Sequence, residues 1–102
     1  EIIEDKDRNV AIAFGNNQGY CIELIAPLSS NSPVDSVLEK NGPTPYHICY
    51  EVDSINDTYQ ELKKQGWMVV KKSEPAIAID NLLVMFLYNL NVGLIELVES
   101  KK

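Results

Sequence analysis

His47 is the only histidine in the chain and sits in the stretch TPYHICYEV, residues 44–52. Two glutamates have comparable settings, Glu23 in YCIELI and Glu96 in LIELVE. All three lie in short runs of β-branched, aromatic and other apolar residues, the composition of β-strands. Side chains alternate faces along a strand. Glu23 therefore shares a face with Cys21 and Ile25, His47 with Cys49 and Glu51, and Glu96 with Leu94 and Val98. Burying one carboxylate without a partner is costly, and burying two near each other costs more. A divalent cation removes both penalties. Neutral imidazole with carboxylate oxygens is a donor set for Zn²⁺, Ni²⁺, Co²⁺, Fe²⁺ or Mn²⁺. Three protein ligands with positions open to water or substrate describe a catalytic site better than a structural one.

Each residue alone has a plainer reading. A solitary strand histidine is more often a satisfied structural residue than a ligand, and a single glutamate in an amphipathic strand usually faces water. Glu51 and Glu99 are read as solvated or ion-paired residues. Cys21 and Cys49 form no CxxC pair and sit inside strand-like runs, where free cysteine packs as a small hydrophobe.

An internal repeat shifts the balance toward the metal. Residues 10–25, VAIAFGNNQGYCIELI, align without a gap on residues 83–98, LVMFLYNLNVGLIELV. Asn16 meets Asn89, Ile22 meets Ile95, Glu23 meets Glu96 and Leu24 meets Leu97. Two of the candidate ligands thus occupy equivalent points of two like modules.

The elements that must position them follow from local signals. EIIED (1–5), NVAIAF (9–14) and GYCIELIAP (19–27) read as strands, the last closed by Pro27. SSNSPVDSVLEKNG (29–42) reads as a helix with Ser32 at its N-cap, Pro33 at the first position and Gly42 past its end. YHICYEV (46–52) is a strand. DSINDTYQELKKQG (53–66) is a helix capped by Asp53 or Ser54, with Ile55, Tyr59 and Leu62 on one face and Gly66 at its end. WMVVKK, NLLVMFLY and VGLIELVE are three further strands. Residues 44–102 therefore form a β-α-β-β-β module, residues 29–43 a connecting helix, and residues 1–28 the last three strands of an equivalent module. By the repeat, the strand matching that of His47 falls at about position −26, so a strand and a helix spanning roughly 25 to 30 residues are expected ahead of Glu1.

Composition narrows the function classes. Nine Lys and Arg against fifteen Asp and Glu give a net charge of −6, which argues against a surface that tracks nucleic-acid phosphates. No apolar run approaches the length of roughly 18 residues that suggests a membrane-spanning helix. A cytoplasmic setting is the default expectation.

IELIAP, SP with the helix that follows, HICYEVDSIND and LIELVE together resemble the vicinal oxygen chelate (glyoxalase / bleomycin resistance / dioxygenase) superfamily, nearest its methylmalonyl-CoA epimerases and glyoxalase-I-like proteins. The resemblance runs over residues 10–99. It implies an α+β fold in which paired βαβββ modules form a curved mixed sheet around one divalent metal. Matched by position, it implies Glu23, His47 and Glu96 as ligands, with a further histidine on a strand ahead of Glu1. It also implies proton abstraction next to a carbonyl through a metal-stabilised enolate, by a lyase or isomerase whose small-molecule substrate is a thioester, a hemithioacetal or another carbonyl acid. The resemblance also implies a basic glutamate on the strand before the chelating hairpin, for which Glu4 is the nearest counterpart; the alternative base is Glu96, as both ligand and base. A homodimer is expected, because chains of this kind commonly pair. Residues 73–93 lack the Gly-rich loop and His-Pro-Lys stretch of the epimerases, so the resemblance speaks more for the metal than for the substrate. The competing reading is a non-catalytic small-molecule-binding protein of the bleomycin-resistance type, with Tyr20, Tyr46, Tyr50, Trp67 and Tyr88 available to line a cleft.

Overall fold

A computed structural model describes residues 1–101, which divide into two compact units, Glu1–Thr44 and Pro45–Lys102. The first holds an antiparallel sheet of β1 (Ile3–Asp5), β2 (Val10–Asn17) and β3 (Tyr20–Pro27) in that order, followed by α1 (Asp35–Asn41). Asp5 closes the β1–β2 turn. Its buried carboxylate accepts from the Arg8 amide at 3.1 Å and pairs with the Arg8 guanidinium at 3.0 Å. Gln18 and Gly19, with φ of 51° and 87°, make the two-residue loop between β2 and β3. Positive φ at both loop positions matches the right-handed twist of the strands it joins.

Helix α1 is shorter than the punctuation around it predicts. Ser32–Val34 forms a turn instead of a first helical turn. The Asp35 carboxylate accepts from the Ser32 amide at 2.9 Å, and the Ser32 hydroxyl oxygen accepts from the Val34 amide at 3.5 Å. Ser32 and Asp35 thus serve the orphan amides ahead of the helix, as a capping box does, while regular helix starts at Asp35.

The second unit runs β4 (Ile48–Val52), α2 (Ile55–Lys64), β5 (Met68–Ala76), a short 3₁₀ turn over Ile77–Ile79, β6 (Leu82–Asn89) and β7 (Gly93–Glu99). Its sheet order is β4-β7-β6-β5, with β4 parallel to β7 and the other pairings antiparallel. Helix α2 is the crossover that a parallel pairing needs. Of its two candidate caps the structure uses Ser54, whose Oγ accepts from the Asp57 amide at 3.2 Å. Ile55 is buried with Met85, Leu87, Ile95 and Leu97, and Val52, Tyr59, Leu62, Trp67 and Val69 pack around them. Burying side chains of this kind stabilises by about 1.5–3 kcal/mol each. These residues occupy one face of β6 and β7, so Phe86 and Glu96 are left to the other.

The mixed α+β class read from the sequence is observed, with the strands hydrogen-bonded as two sheets, one in each unit. No helix among the described residues is long and apolar enough to cross a membrane.

Candidate metal centre

His47 lies one residue ahead of β4 rather than in the middle of a strand, because parallel pairing with β7 begins at Ile48 opposite Ile95. The register then sets Cys49 opposite Glu96, and β6 brings Phe86 opposite Glu96 from the other side. Glu96 therefore sits in a central strand, 5% exposed, on the face that α2 does not cover. A carboxylate held there requires a partner. The partner is His47, whose Nε2 lies 2.9 Å from Glu96 Oε1, with both side chains 7% exposed.

The rest of the imidazole is packed by rings. Tyr46 meets it edge-on with centroids 4.6 Å apart, and Phe86 does so at 5.3 Å. Its second nitrogen, Nδ1, is buried and has no hydrogen-bond partner among the described residues. A purely structural buried histidine usually satisfies both nitrogens. This one presents a single nitrogen toward a carboxylate, which fits a nitrogen-and-oxygen donor pair for a borderline divalent cation.

Glu23 belongs to the first unit. It is half-buried in β3 and stands opposite Phe14 of β2. This register corrects the gapless repeat. Asn17 pairs with Tyr20 across a two-residue loop, whereas Asn89 pairs with Gly93 across three residues. The equivalent of Asn89 is thus Asn17, not Asn16, and the offset between units is 73 in the later strands but 72 in the earlier ones. A slip of one residue turns a strand over. With the loop counted, Phe14 and Phe86 become equivalents, each facing a candidate glutamate.

Glu4 does not fit the role of base expected for it. It is exposed and pairs with Ala11, which is out of phase with Phe14. Its side chain lies on the sheet face opposite Glu23. The neighbouring position on the Glu23 face is Asp5, whose carboxylate is committed to Arg8. Two residues of the suggested aromatic cleft are also employed otherwise: Trp67 packs on the α2 core, and Tyr46 lies against His47. The aromatic partners of the acids escaped the sequence reading, although Phe14 and Phe86 are the only two phenylalanines in the chain.

The chain is similar to known proteins. Residues 2–86 match the Glyoxalase/Bleomycin resistance protein/Dioxygenase superfamily. The ethylmalonyl-CoA/methylmalonyl-CoA epimerase of Cereibacter sphaeroides is 36% identical over 97 residues, which cover 92% of this chain and 72% of that protein. The mitochondrial methylmalonyl-CoA epimerase of Bos taurus is 32% identical over 97 residues, and the match spans only 55% of its length. Among solved structures, methylmalonyl-CoA epimerase from Mycobacterium tuberculosis superposes with a TM-score of 0.83 at 25% identity, covering 100% of this chain and 70% of that one. A protein from Bacillus halodurans superposes with a TM-score of 0.85 at 31% identity, covering 99% and 74%.

Proposed function

This chain belongs to the glyoxalase/bleomycin resistance protein/dioxygenase superfamily, and from that premise we propose that it is an epimerase-like isomerase acting on a carbonyl substrate of the acyl-CoA thioester class. The observation that carries the proposal is the buried His47–Glu96 pair with its unpartnered Nδ1. Identity to named epimerases supports the substrate class.

In this reading Glu23, His47 and Glu96 hold one divalent cation. Such an ion, when bound, would lower the cost of developing negative charge on a carbonyl oxygen next to the reacting carbon. The remaining work falls to the chain. Nε2 of His47 engages Oε1 of Glu96 and leaves Oε2 as the oxygen that receives a proton from that carbon. Inversion of the centre would take a proton delivered to the opposite face of the planar intermediate by a second acid, since Glu96 serves one face only. Return to a neighbouring carbon would instead give the lyase chemistry of a hemithioacetal. The chain works as a homodimer in this proposal.

The test uses full-length protein in D₂O with methylmalonyl-CoA. Deuterium entering at C2, with about one transition metal per chain by elemental analysis, is the expected result. Metal-free protein that catalyses no exchange after reconstitution would overturn the proposal in favour of a small-molecule-binding protein of the same superfamily.

A further inference from the structure

Each candidate acid has a phenylalanine directly across its antiparallel partner strand: Phe14 faces Glu23 between β2 and β3, and Phe86 faces Glu96 between β6 and β7. No other phenylalanine exists in the chain. Directly opposite residues of an antiparallel pair have Cβ atoms only about 4.5–5.5 Å apart, so each ring is an immediate neighbour of its glutamate. Phe86 also meets the His47 ring at an interplanar angle of 75°.

We infer that Phe86 is a positioning residue for His47 and Glu96, and that Phe14 has the corresponding part for Glu23; the inference rests on the metal-site reading above. A metal-ligating imidazole is ordinarily oriented by a hydrogen bond from its second nitrogen to a carboxylate or carbonyl. His47 has no such bond at Nδ1. Apart from the contact of Nε2 with Glu96, its orientation is set by two edge-to-face ring contacts, from Tyr46 beside it in sequence and from Phe86 on β6, the strand beyond β7. Aromatic pairs prefer this geometry because the positive ring edge meets the negative face. A leucine at position 86 would fill much of the space without that directional preference.

The experiment compares wild type with Phe86→Leu, Phe86→Tyr and Phe14→Leu. Two quantities are read: the Kd for Co²⁺ alone, by absorbance titration, and the ¹⁵N resonances of the single imidazole in metal-free protein. Wild type and Phe86→Tyr should show one fixed tautomer and equal Co²⁺ affinity. Phe86→Leu should bind Co²⁺ about tenfold more weakly, the usual scale for a support to a ligand, and show an averaged tautomer pattern. Phe14→Leu should weaken Co²⁺ binding and leave the His47 pattern unchanged. If the leucine variant does not fold, Phe86→Met replaces it. A Phe86→Leu protein matching wild type in both readouts overturns the inference and leaves the metal site standing. Wild type that binds no Co²⁺, with the tautomer still averaged in Phe86→Leu, retires the metal site and keeps Phe86 as the residue that orients His47.

Discussion

Nε2 of His47 lies 2.9 Å from Oε1 of Glu96 across 49 residues of sequence, with both side chains 7% exposed. The contact exists because the α2 crossover returns the chain to pair β4 in parallel with β7, starting one residue after the histidine. Removing either partner leaves the other buried and alone, so both substitutions should act on the same property. His47→Ala and Glu96→Gln are each expected to reduce metal occupancy of purified protein to a small fraction of the wild-type level. Elemental analysis of the variants beside wild type checks this, and retention of metal by both would remove these residues from the ligand set.

Isotope exchange reads the loss of ligand and of base together at Glu96. General acid–base catalysis contributes about 10²–10⁴-fold, so Glu96→Gln should slow deuterium incorporation into methylmalonyl-CoA by at least about a hundredfold. Mass spectrometry of the thioester after timed quenching gives the rate.

Glu4 provides the contrast. Its exposure and its pairing with Ala11 put it on the far face of the first sheet from Glu23. Glu4→Gln should leave both the exchange rate and Co²⁺ affinity within about twofold of wild type, since solvent-exposed substitutions away from special features have small effects. A large loss of exchange with normal metal content would restore Glu4 to the reaction.

Metal binding should appear as stability. A ligand at about one hundred times its Kd stabilises the folded state by about 2.7 kcal/mol. Thermal unfolding in Co²⁺ at that ratio should therefore move clearly upward, a chelator should reverse the change, and His47→Ala should abolish it.

The core of the second unit makes a prediction independent of function. Leu87 is 0% exposed and packs with Ile55, Met85, Ile95 and Leu97. Leu87→Ala should cost about 2–5 kcal/mol through lost burial and the cavity left behind. Ser54→Ala, which removes the cap of α2, should cost about 1 kcal/mol. Urea denaturation of the two variants should rank them in that order.

What the sequence alone determined was local. Alternation in YCIELI and LIELVE assigned Glu23 and Glu96 to strands with apolar neighbours, and Ser54, Ile55, Tyr59, Leu62 and Gly66 delimited α2, because strand period, capping and helical spacing act over a few residues. The similarity of the two modules, and with it the likeness to a family, was legible for the same reason. Tertiary structure decided the rest. The difference between a two-residue loop at Gln18–Gly19 and a three-residue loop at 90–92 set the register that faces Phe14 with Glu23 and Phe86 with Glu96. Register is a property of two strands together, so a gapless comparison of one sequence stretch with another placed Asn16 where Asn17 belongs. Pairing of β1 with β2 turned Glu4 away. The approach of His47 to Glu96, and the isolation of its Nδ1, depended on where a parallel strand begins to pair after a helical crossover. No period within YHICYEV encodes that point, because it is fixed by packing α2 on β6 and β7.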